Sequence, residues 1–289
     1  MHNIMDAPYI VGMWRLLQQD YIKGPEALAK YLHQRIDTGC ALFDHANIYS
    51  LGAVEDAFGQ ALAKDKSLKH KVHTITKAGI ILKDMDTSSF QVKHYNTSAQ
   101  YLQGQLDGSL KRLGVEQVNL FLIHRPDPLT DYAELGEALD SLIAAGKTAA
   151  VGVSNFTVQQ CKMLQAHMKA PIVANQIELS VFERSAILDG TIQDCGLHNI
   201  KVQAWSPFGG GVQFGHRAMT KLEALAEAMS VPVEALMLAW IGYLPGRPIP
   251  IVGSFNEERL QKALQWKSVP MDHPLWFTIL EAFEGKPVP

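Results

Sequence analysis

Eight short runs of β-branched and other apolar residues recur along the chain, each followed by a stretch with helical periodicity. The runs cover residues 9–15, 41–45, 72–77, 118–124, 149–153, 172–176, 200–205 and 248–253. Several are almost continuously apolar, which is typical of parallel strands covered on both faces. Eight strand–helix repeats predict one kind of α/β fold, a closed (β/α)8 TIM barrel.

Two of the helical stretches contain leucine stripes that end at a glycine, the residue type that often closes a helix. The stripes are Leu106, Leu110 and Leu113 before Gly114, and Leu135, Leu139 and Leu142 before Gly146. Residues 25–38 form another amphipathic stretch. Residues 272–283 predict an extra C-terminal helix that lies outside the eight repeats.

A doubly wound open sheet is the alternative arrangement of alternating strands and helices. That fold favours a Gly-x-Gly-x-x-Gly turn after the first strand, and the sequence has no such turn there. The Gly209-Gly210-Gly211 run follows the seventh predicted strand instead. No stretch rich in Pro, Gly or Ser divides the chain, so we expect one barrel domain over residues 1–289.

Charge and cysteine content argue against several other classes of protein. The net charge is −3 and no Lys/Arg cluster is dense enough to track phosphates, so we expect no nucleic-acid partner. The three cysteines are widely spaced, which favours a reducing cytoplasm. No signal-peptide pattern is visible, and the most apolar later segment, residues 231–244, is too short to span a membrane. The sequence predicts a cytoplasmic protein, either a monomer or a weak oligomer.

Catalytic groups in a barrel gather at the C-terminal ends of the strands. Polar or aromatic side chains stand at this end of the second to seventh predicted strands. In chain order they are Asp44 and Tyr49, Lys77, His124, Ser154 and Asn155, Gln176, and Trp205 with Ser206. Each has an ordinary structural explanation when taken alone, such as an Asp that caps the next helix. Their joint placement predicts an active site.

These residues lie in motifs that resemble the aldo-keto reductase superfamily. The motifs are Phe43-Asp44-His45-Ala46-Asn47-Ile48-Tyr49, Thr76-Lys77, Leu122-Ile123-His124-Arg125-Pro126, Gly152-Val153-Ser154-Asn155-Phe156, Asn175-Gln176 and Ala204-Trp205-Ser206-Pro207. They follow the order of the family over nearly the whole chain. The His-Arg-Pro-Asp run at residues 124–127 and the triple glycine resemble a subgroup of bacterial oxidoreductases. The resemblance implies NADPH-dependent, reversible reduction of aldehydes or ketones.

The resemblance further implies that Tyr49 protonates the substrate oxygen, while His124 orients the carbonyl group. Elementary chemistry is consistent with these roles. A phenol has a pKa near 10, which is high for a proton donor at neutral pH. An ammonium group about 4 Å away would lower that pKa by up to ~3. Lys77 is the candidate ammonium group, and Asp44 is its expected partner.

A nicotinamide cofactor, NADP(H), is the hydride source that the resemblance implies. Ser154, Asn155 and Gln176 would hydrogen-bond the carboxamide, and Trp205 would stack on the ring where members often have Tyr. The pyrophosphate would lie along the backbone that includes Ser206, Gly209, Gly210 and Gly211.

Ser254 and Arg259 resemble the family's site for the adenosine 2′-phosphate, at the start of a helix after the eighth strand. Gly253, Lys262 and Ala263 depart from the family's usual residues there, which implies weaker binding.

The substrate pocket is expected to include Trp14, Ile80 and the loop at residues 79–96, because loops after strands carry specificity. An apolar, aromatic wall favours a modest hydrophobic carbonyl compound. A metal site beside His45 would usually need a His-x-His pair on the first strand, which is missing, so we expect no metal. Two alternatives remain open: a Schiff-base lyase that uses Lys77, and a cofactor-binding sensor or partner protein with little turnover.

Overall fold

The structure, a computed structural model, describes residues 7–211 and 217–289. Its strands are β1 (Ile10–Gly12), β2 (Leu42–Asp44), β3 (His73–Ala78), β4 (Ile80–Ile81), β5 (His94–Tyr95), β6 (Leu120–Ile123), β7 (Val151–Ser154), β8 (Ile172–Glu178), β9 (Lys201–Trp205) and β10 (Ile249–Val252). Eight of them close into a parallel barrel in the order β1-β2-β3-β6-β7-β8-β9-β10. The predicted TIM barrel is confirmed.

Most barrel strands are shorter than the apolar runs that predict them. The first run, residues 9–15, contributes only three residues to the barrel. The two strands that flank β1, β10 and β2, end at the same level as β1. Val11 is the last residue of β1 that pairs with β10, and Gly12 pairs with Asp44, where β2 ends. Beyond this level no adjacent strand offers ladder hydrogen bonds, so the chain turns away.

The helices surround the barrel and fill most of the intervals between strands. They are α1 (Pro25–Asp37), α2 (Ala53–Lys64), α3 (Ala99–Leu113), α4 (Tyr132–Ala144), α5 (Val158–Gln165), α6 (Ser185–Leu188), α7 (Thr191–Leu197), α8 (Arg217–Ala228), α9 (Val233–Gly242), α10 (Glu257–Leu264) and α11 (His273–Glu284). Gly114 ends α3 in the left-handed conformation, as the leucine stripe predicts. The extra C-terminal helix is also confirmed, with Asp272 as its N-cap.

Alternation along the strands divides the core into two layers. Leu120 and Leu122 belong to a small cluster with apolar side chains from the other barrel strands, which fills the barrel interior. Phe121 and Ile123, the residues between and after them, belong to the larger cluster between the strands and the helices. Because both faces of the strands are covered, the strand sequences read as continuous apolar runs.

Some elements are not apparent from the sequence pattern. The two-residue strands β4 and β5 form an antiparallel hairpin within the loop that follows β3. Helix α9 is an additional helix after α8, and its residues from Ala235 to Gly242 are all buried. Within residues 7–211 and 217–289, no single helix is long and apolar enough to cross a membrane. Helices α8 and α9 meet that test only when taken together, and they are bent by 98° where they join.

The contact between α2 and α3 provides a stability test. A Cβ added to Gly59 of α2 would lie 2.0 Å from the carbonyl oxygen of Arg112 in α3, whereas a Cβ at Gly104 of α3 would meet nothing within 4 Å. We expect Gly59→Ala to destabilise the protein by about 1–3 kcal/mol through overpacking. The control, Gly104→Ala, should stabilise it by about 0.5–1 kcal/mol through helix propensity. Chemical denaturation measures both, and equal effects would contradict this close approach.

Candidate active site

A buried ion pair joins the ends of two neighbouring strands. Lys77 near the end of β3 places Nζ 2.6 and 2.7 Å from the two carboxylate oxygens of Asp44, the last residue of β2. Nζ also donates to the carbonyl oxygen of His45 at 2.8 Å. The two side chains are 1% and 4% exposed. Burial lowers the pKa of Lys77, and the Asp44 carboxylate opposes that shift.

Tyr49 follows β2 and begins a turn with unusual backbone angles. Ser50, Leu51 and Gly52 have φ values of 47°, 55° and 93°, all in the left-handed region. Such angles are costly for Ser and Leu and persist where the surroundings impose them. The turn brings the Tyr49 ring to 5.2 Å from Lys77 Nζ and 6.3 Å from the His124 ring. The predicted proton donor therefore lies beside both groups.

The pKa of Tyr49 differs from the sequence prediction. Burial and the negative charge of Asp44 raise this pKa well above its ordinary value, and the positive charge of Arg125 only partly offsets them. The sequence predicts a pKa lowered by Lys77, whereas the net shift in this geometry is upward, because burial and Asp44 outweigh the nearby positive charges. Lys77 directs its hydrogen bonds to Asp44 and His45, so its donors do not reach the phenol.

A second ion pair, between a buried carboxylate and a half-buried guanidinium, lies behind this site. Glu55 of α2 is completely buried, accepts a hydrogen bond from Thr76 at 2.5 Å and pairs with Arg112 of α3 at 2.8 Å. Thr76 precedes Lys77, and the Arg112 side chain packs so closely on Gly52 that a Cβ there would lie 2.8 Å from Arg112 Nε. The pair therefore links the strand of Lys77 to the turn of Tyr49. Sequence patterns do not reveal it, because its two residues are far apart in the chain.

His124 follows β6 and faces the same end of the barrel. Its backbone N–H donates to the carbonyl oxygen of Ala78 at 2.8 Å, which fixes it beside β3. Its ring Nδ1 is buried and has no hydrogen-bond partner among the described residues. Burial, reinforced by the positive charges of Lys77, Arg125 and Lys93, lowers the pKa of His124 well below 6.5. The imidazole is therefore neutral near pH 7 and can donate one N–H.

The amide and hydroxyl groups predicted to hold a carboxamide form one hydrogen-bonded chain. Ser154 Oγ donates to the Gln176 carbonyl oxygen at 2.8 Å and accepts from Asn155 Nδ2 at 2.8 Å. Trp205 Nε1 donates to Asn155 Oδ1 at 3.1 Å, and Gln176 Nε2 donates to Asp44 at 2.9 Å. Asn155 has φ 58°, a conformation that Asn tolerates better than most residues. This series of hydrogen bonds connects Trp205 to the buried Asp44–Lys77 pair.

A β-bulge between β7 and β8 determines which residues of these two strands lie opposite each other. The pairing of β7 with β8 shifts between Val151 and Val153, so that Ser154 lies opposite Gln176. A Cβ on the intervening Gly152 would lie 2.6 Å from the Ala174 carbonyl oxygen. Only glycine allows the two backbones to approach so closely.

The segments predicted to bind phosphates follow β9 and β10. Ser206, Gly209 and Gly210 all have positive φ, and a Cβ at Gly210 would meet nothing within 4 Å, so the backbone there is open to a ligand. Gly211 is the last described residue before the gap at 212–216. After β10, Ser254 precedes the Asn256 cap of α10, and the Arg259 side chain is exposed with Nε 3.9 Å from Glu234. These groups suit the two phosphate regions of a nicotinamide dinucleotide.

The predicted substrate residues differ in how much surface they offer. Trp14 follows β1 and is 59% exposed, whereas Ile80 is buried in the hairpin with 5% exposed. Sequence reasoning places Arg125 in a motif but gives it no role. The structure places its guanidinium 5.3 Å from the Trp205 ring centroid, and its charge acts on both Tyr49 and His124. Its position directly after His124 is the signal that could have drawn attention to it.

The family model for the aldo/keto reductase family matches residues 8–279, nearly the whole chain. The chain belongs to the aldo/keto reductase family. It is therefore an NAD(P)H-dependent oxidoreductase that acts on carbonyl groups. This aldo/keto reductase is 36% identical over 287 residues to the uncharacterized oxidoreductase YcsN of Bacillus subtilis, covering 97% of this chain and 95% of the relative. A 6-dehydroglucose reductase of Agrobacterium fabrum is 34% identical and is matched over 96% and 95% of the two chains.

Solved structures show the same fold. The glycerol dehydrogenase of Gluconobacter oxydans superimposes with a TM-score of 0.82 at 24% identity, over 98% of this chain and 94% of that one. The subgroup suggested by His-Arg-Pro-Asp stays a prediction. Among the described residues of this reductase, no group of three or more His, Cys, Asp or Glu side chains is placed to hold a metal ion.

Proposed function

We propose that this protein reduces aldehydes or ketones to alcohols with NADPH, and that Tyr49 supplies the proton. The observation that carries the proposal is the placement of Tyr49 beside the buried Asp44–Lys77 pair and His124, at the ends of three neighbouring strands. The likeness in length and sequence to a 6-dehydroglucose reductase supports a small oxygenated carbonyl substrate.

The raised pKa of Tyr49 keeps the phenol protonated near pH 7. Its acceptor is the alkoxide that forms as the carbonyl oxygen gains charge, and an alkoxide is a stronger base than a phenolate. Proton transfer to this oxygen is therefore favourable even from a phenol with a raised pKa. The ammonium of Lys77, 5.2 Å from the ring centroid, stabilises the negative charge left on Tyr49.

His124 and Asp44 orient the reacting groups. The neutral imidazole donates to the substrate oxygen and holds it between His124 and Tyr49. Asp44 accepts from Lys77 and from Gln176, so one carboxylate fixes both the ammonium group and the amide chain. A proton returns to Tyr49 from solvent after the alcohol leaves.

A bound nicotinamide supplies the hydride in this reaction. Gln176 and Asn155 orient the carboxamide with the hydrogen-bonding positions that their contacts within the protein leave free. Trp205 offers its ring for stacking, and Gly209 and Gly210 let the pyrophosphate approach the backbone. The hydroxyl of Ser254 and the guanidinium of Arg259 bind the 2′-phosphate that distinguishes NADPH from NADH.

The Schiff-base alternative for Lys77 is disfavoured by the same geometry. Its ammonium group donates to both Asp44 oxygens and to the His45 carbonyl oxygen, so all three N–H groups are engaged. A nucleophilic amine needs a free lone pair, and the Asp44 carboxylate opposes the loss of the proton.

Removal of the Arg259 guanidinium tests the cofactor preference. We expect Arg259→Ala to weaken NADPH binding by about tenfold or more, the scale of a lost hydrogen-bonded charge pair, and to leave NADH binding nearly unchanged. Titration of protein fluorescence with each nucleotide measures the two dissociation constants. Equal weakening of both nucleotides would show that Arg259 does not bind the 2′-phosphate.

The proposed activity is tested by a panel of aldehydes and ketones assayed with NADPH and with NADH. NADPH oxidation that depends on the carbonyl compound supports the proposal. Tight cofactor binding with no turnover across the panel would favour the sensor alternative.

A further inference from the structure

Two charged side chains at the C-terminal end of the barrel make no hydrogen bond or ion pair within the described residues. Neither Arg125 nor Glu178 has a hydrogen-bond or ion-pair partner among residues 7–211 and 217–289. Both side chains are half-buried, so neither is simply a solvated surface charge. Arg125 contacts the Trp205 ring, but this contact leaves its N–H donors unsatisfied. Partly desolvated charges without hydrogen-bond partners are unfavourable unless something else satisfies them. The unsatisfied hydrogen-bonding groups of these two side chains indicate that they bind a ligand.

The positions of Arg125 and Glu178 place their hydrogen-bonding groups near the site proposed for the substrate carbonyl. Arg125 directly follows His124, and its guanidinium lies over the Trp205 ring at 5.3 Å. Glu178 is the last residue of β8 and lies opposite Trp205 in the register of β8 with β9. The aromatic ring therefore has the donor group on its face and the acceptor group on the adjacent strand. Arg125 adjoins the carbonyl-orienting His124, and Glu178 ends β8 at the same C-terminal end of the barrel.

The two charges are near each other but not paired. Burial and the neighbouring Glu183 raise the pKa of Glu178, and the positive charge of Arg125 lowers it. The charges of Arg125 and Glu178 therefore interact electrostatically. They form no ion pair within the described residues, so the five N–H donors of Arg125 and the carboxylate oxygens of Glu178 are both available to a ligand. A ligand that satisfies both groups must accept and donate hydrogen bonds.

We propose that Arg125 and Glu178 form a substrate subsite that binds the hydroxyl groups of a polyhydroxylated carbonyl compound. A hydroxyl group can both accept from the guanidinium and donate to the carboxylate, so vicinal hydroxyls can satisfy both side chains. An anionic substrate would suit Arg125 but would be repelled by Glu178 and Glu183. A purely apolar aldehyde would leave both charges unsatisfied. The subsite thus selects for neutral substrates with hydroxyls near the carbonyl, and this inference rests on the proposed carbonyl reduction.

The test compares two three-carbon aldehydes that differ only in hydroxyl groups, glyceraldehyde and propanal, in steady-state assays with NADPH. We expect Arg125→Met to lower kcat/KM for glyceraldehyde by about tenfold or more relative to kcat/KM for propanal, mainly through KM, because loss of its charge beside Tyr49 and His124 affects both aldehydes alike. Glu178→Gln, which keeps the shape but removes the charge, should lower glyceraldehyde activity in the same direction. Arg247→Met is the matched control, since Arg247 is exposed and precedes β10 at the opposite end of the barrel.

Three results would overturn the inference. Equal losses for the two aldehydes would show that Arg125 supports catalysis in general, and no loss for either would show that it binds no substrate. A variant that loses most activity toward succinate semialdehyde, an aldehyde with a carboxylate, would make Arg125 an anion site. If no carbonyl compound is turned over, saturation-transfer difference NMR with glycerol and propan-1-ol decides the matter. Binding of glycerol that disappears in Arg125→Met supports the subsite, and identical signals in both proteins contradict it.

Discussion

Replacing Tyr49 by Phe is expected to lower kcat/KM for carbonyl reduction by roughly 10²-fold or more, the scale of a lost general acid. The substitution removes the phenolic oxygen but keeps the ring that packs beside Lys77 and His124. Cofactor affinity should therefore stay close to that of the unchanged protein. NADPH oxidation with a reactive aldehyde gives the rate, and fluorescence titration gives the affinity.

The outcome separates chemistry from structure. A large loss of rate with unchanged cofactor binding and unchanged thermal midpoint assigns the proton to Tyr49. If Tyr49→Phe retained the rate within about threefold, another group would be the donor. The neutral His124, which faces the same end of the barrel, would then be the next candidate.

Replacing Asp44 by Asn is expected to cause the largest loss of stability, about 3–5 kcal/mol, because Lys77 would be left buried without its counter-ion. The pair is almost inaccessible to solvent, so water cannot compensate. The double variant Asp44→Asn with Lys77→Met removes both charges and should recover most of that stability. It should remain inactive, because the cation that stabilises the Tyr49 phenolate is gone.

Chemical denaturation of the two variants measures the effect. The control is Glu258→Gln, which breaks the exposed pair of Glu258 with Lys262 in α10 and should leave the denaturation midpoint unchanged. An Asp44→Asn variant as stable as this control would contradict a buried, unpaired Lys77. A double variant no more stable than the single one would show that packing rather than charge carries the effect.

The barrel could be predicted from sequence because parallel strands covered on both faces leave a strong apolar signal at regular intervals. The β4–β5 hairpin gives no such signal, since each of its strands has only two residues and polar residues lie between them. The strand limits were also beyond prediction. They depend on where adjacent strands stop pairing, as Gly12 and Asp44 do, and a single strand's sequence does not contain that information.

The site was predictable to the extent that strand ends converge by topology. Asp44 and Lys77 meet as expected because β2 and β3 are neighbours in the barrel. The direction of the Tyr49 pKa shift was not predictable, because it depends on how deeply the phenol is buried and how near it lies to Asp44. The Glu55–Arg112 pair and the Arg125–Glu178 subsite join elements that are distant in sequence, so only the folded chain brings them together.

Transfer of deuterium tests the central claim most directly. The protein is incubated with an aldehyde and NADPH deuterated at both C4 positions, and the alcohol is analysed by mass spectrometry and NMR. We predict one deuterium on the former carbonyl carbon, formed at the rate of NADPH oxidation, and almost none in the same time with Tyr49→Phe. Alcohol without deuterium, or a carbonyl compound trapped on Lys77 by borohydride, would contradict the proposed reaction.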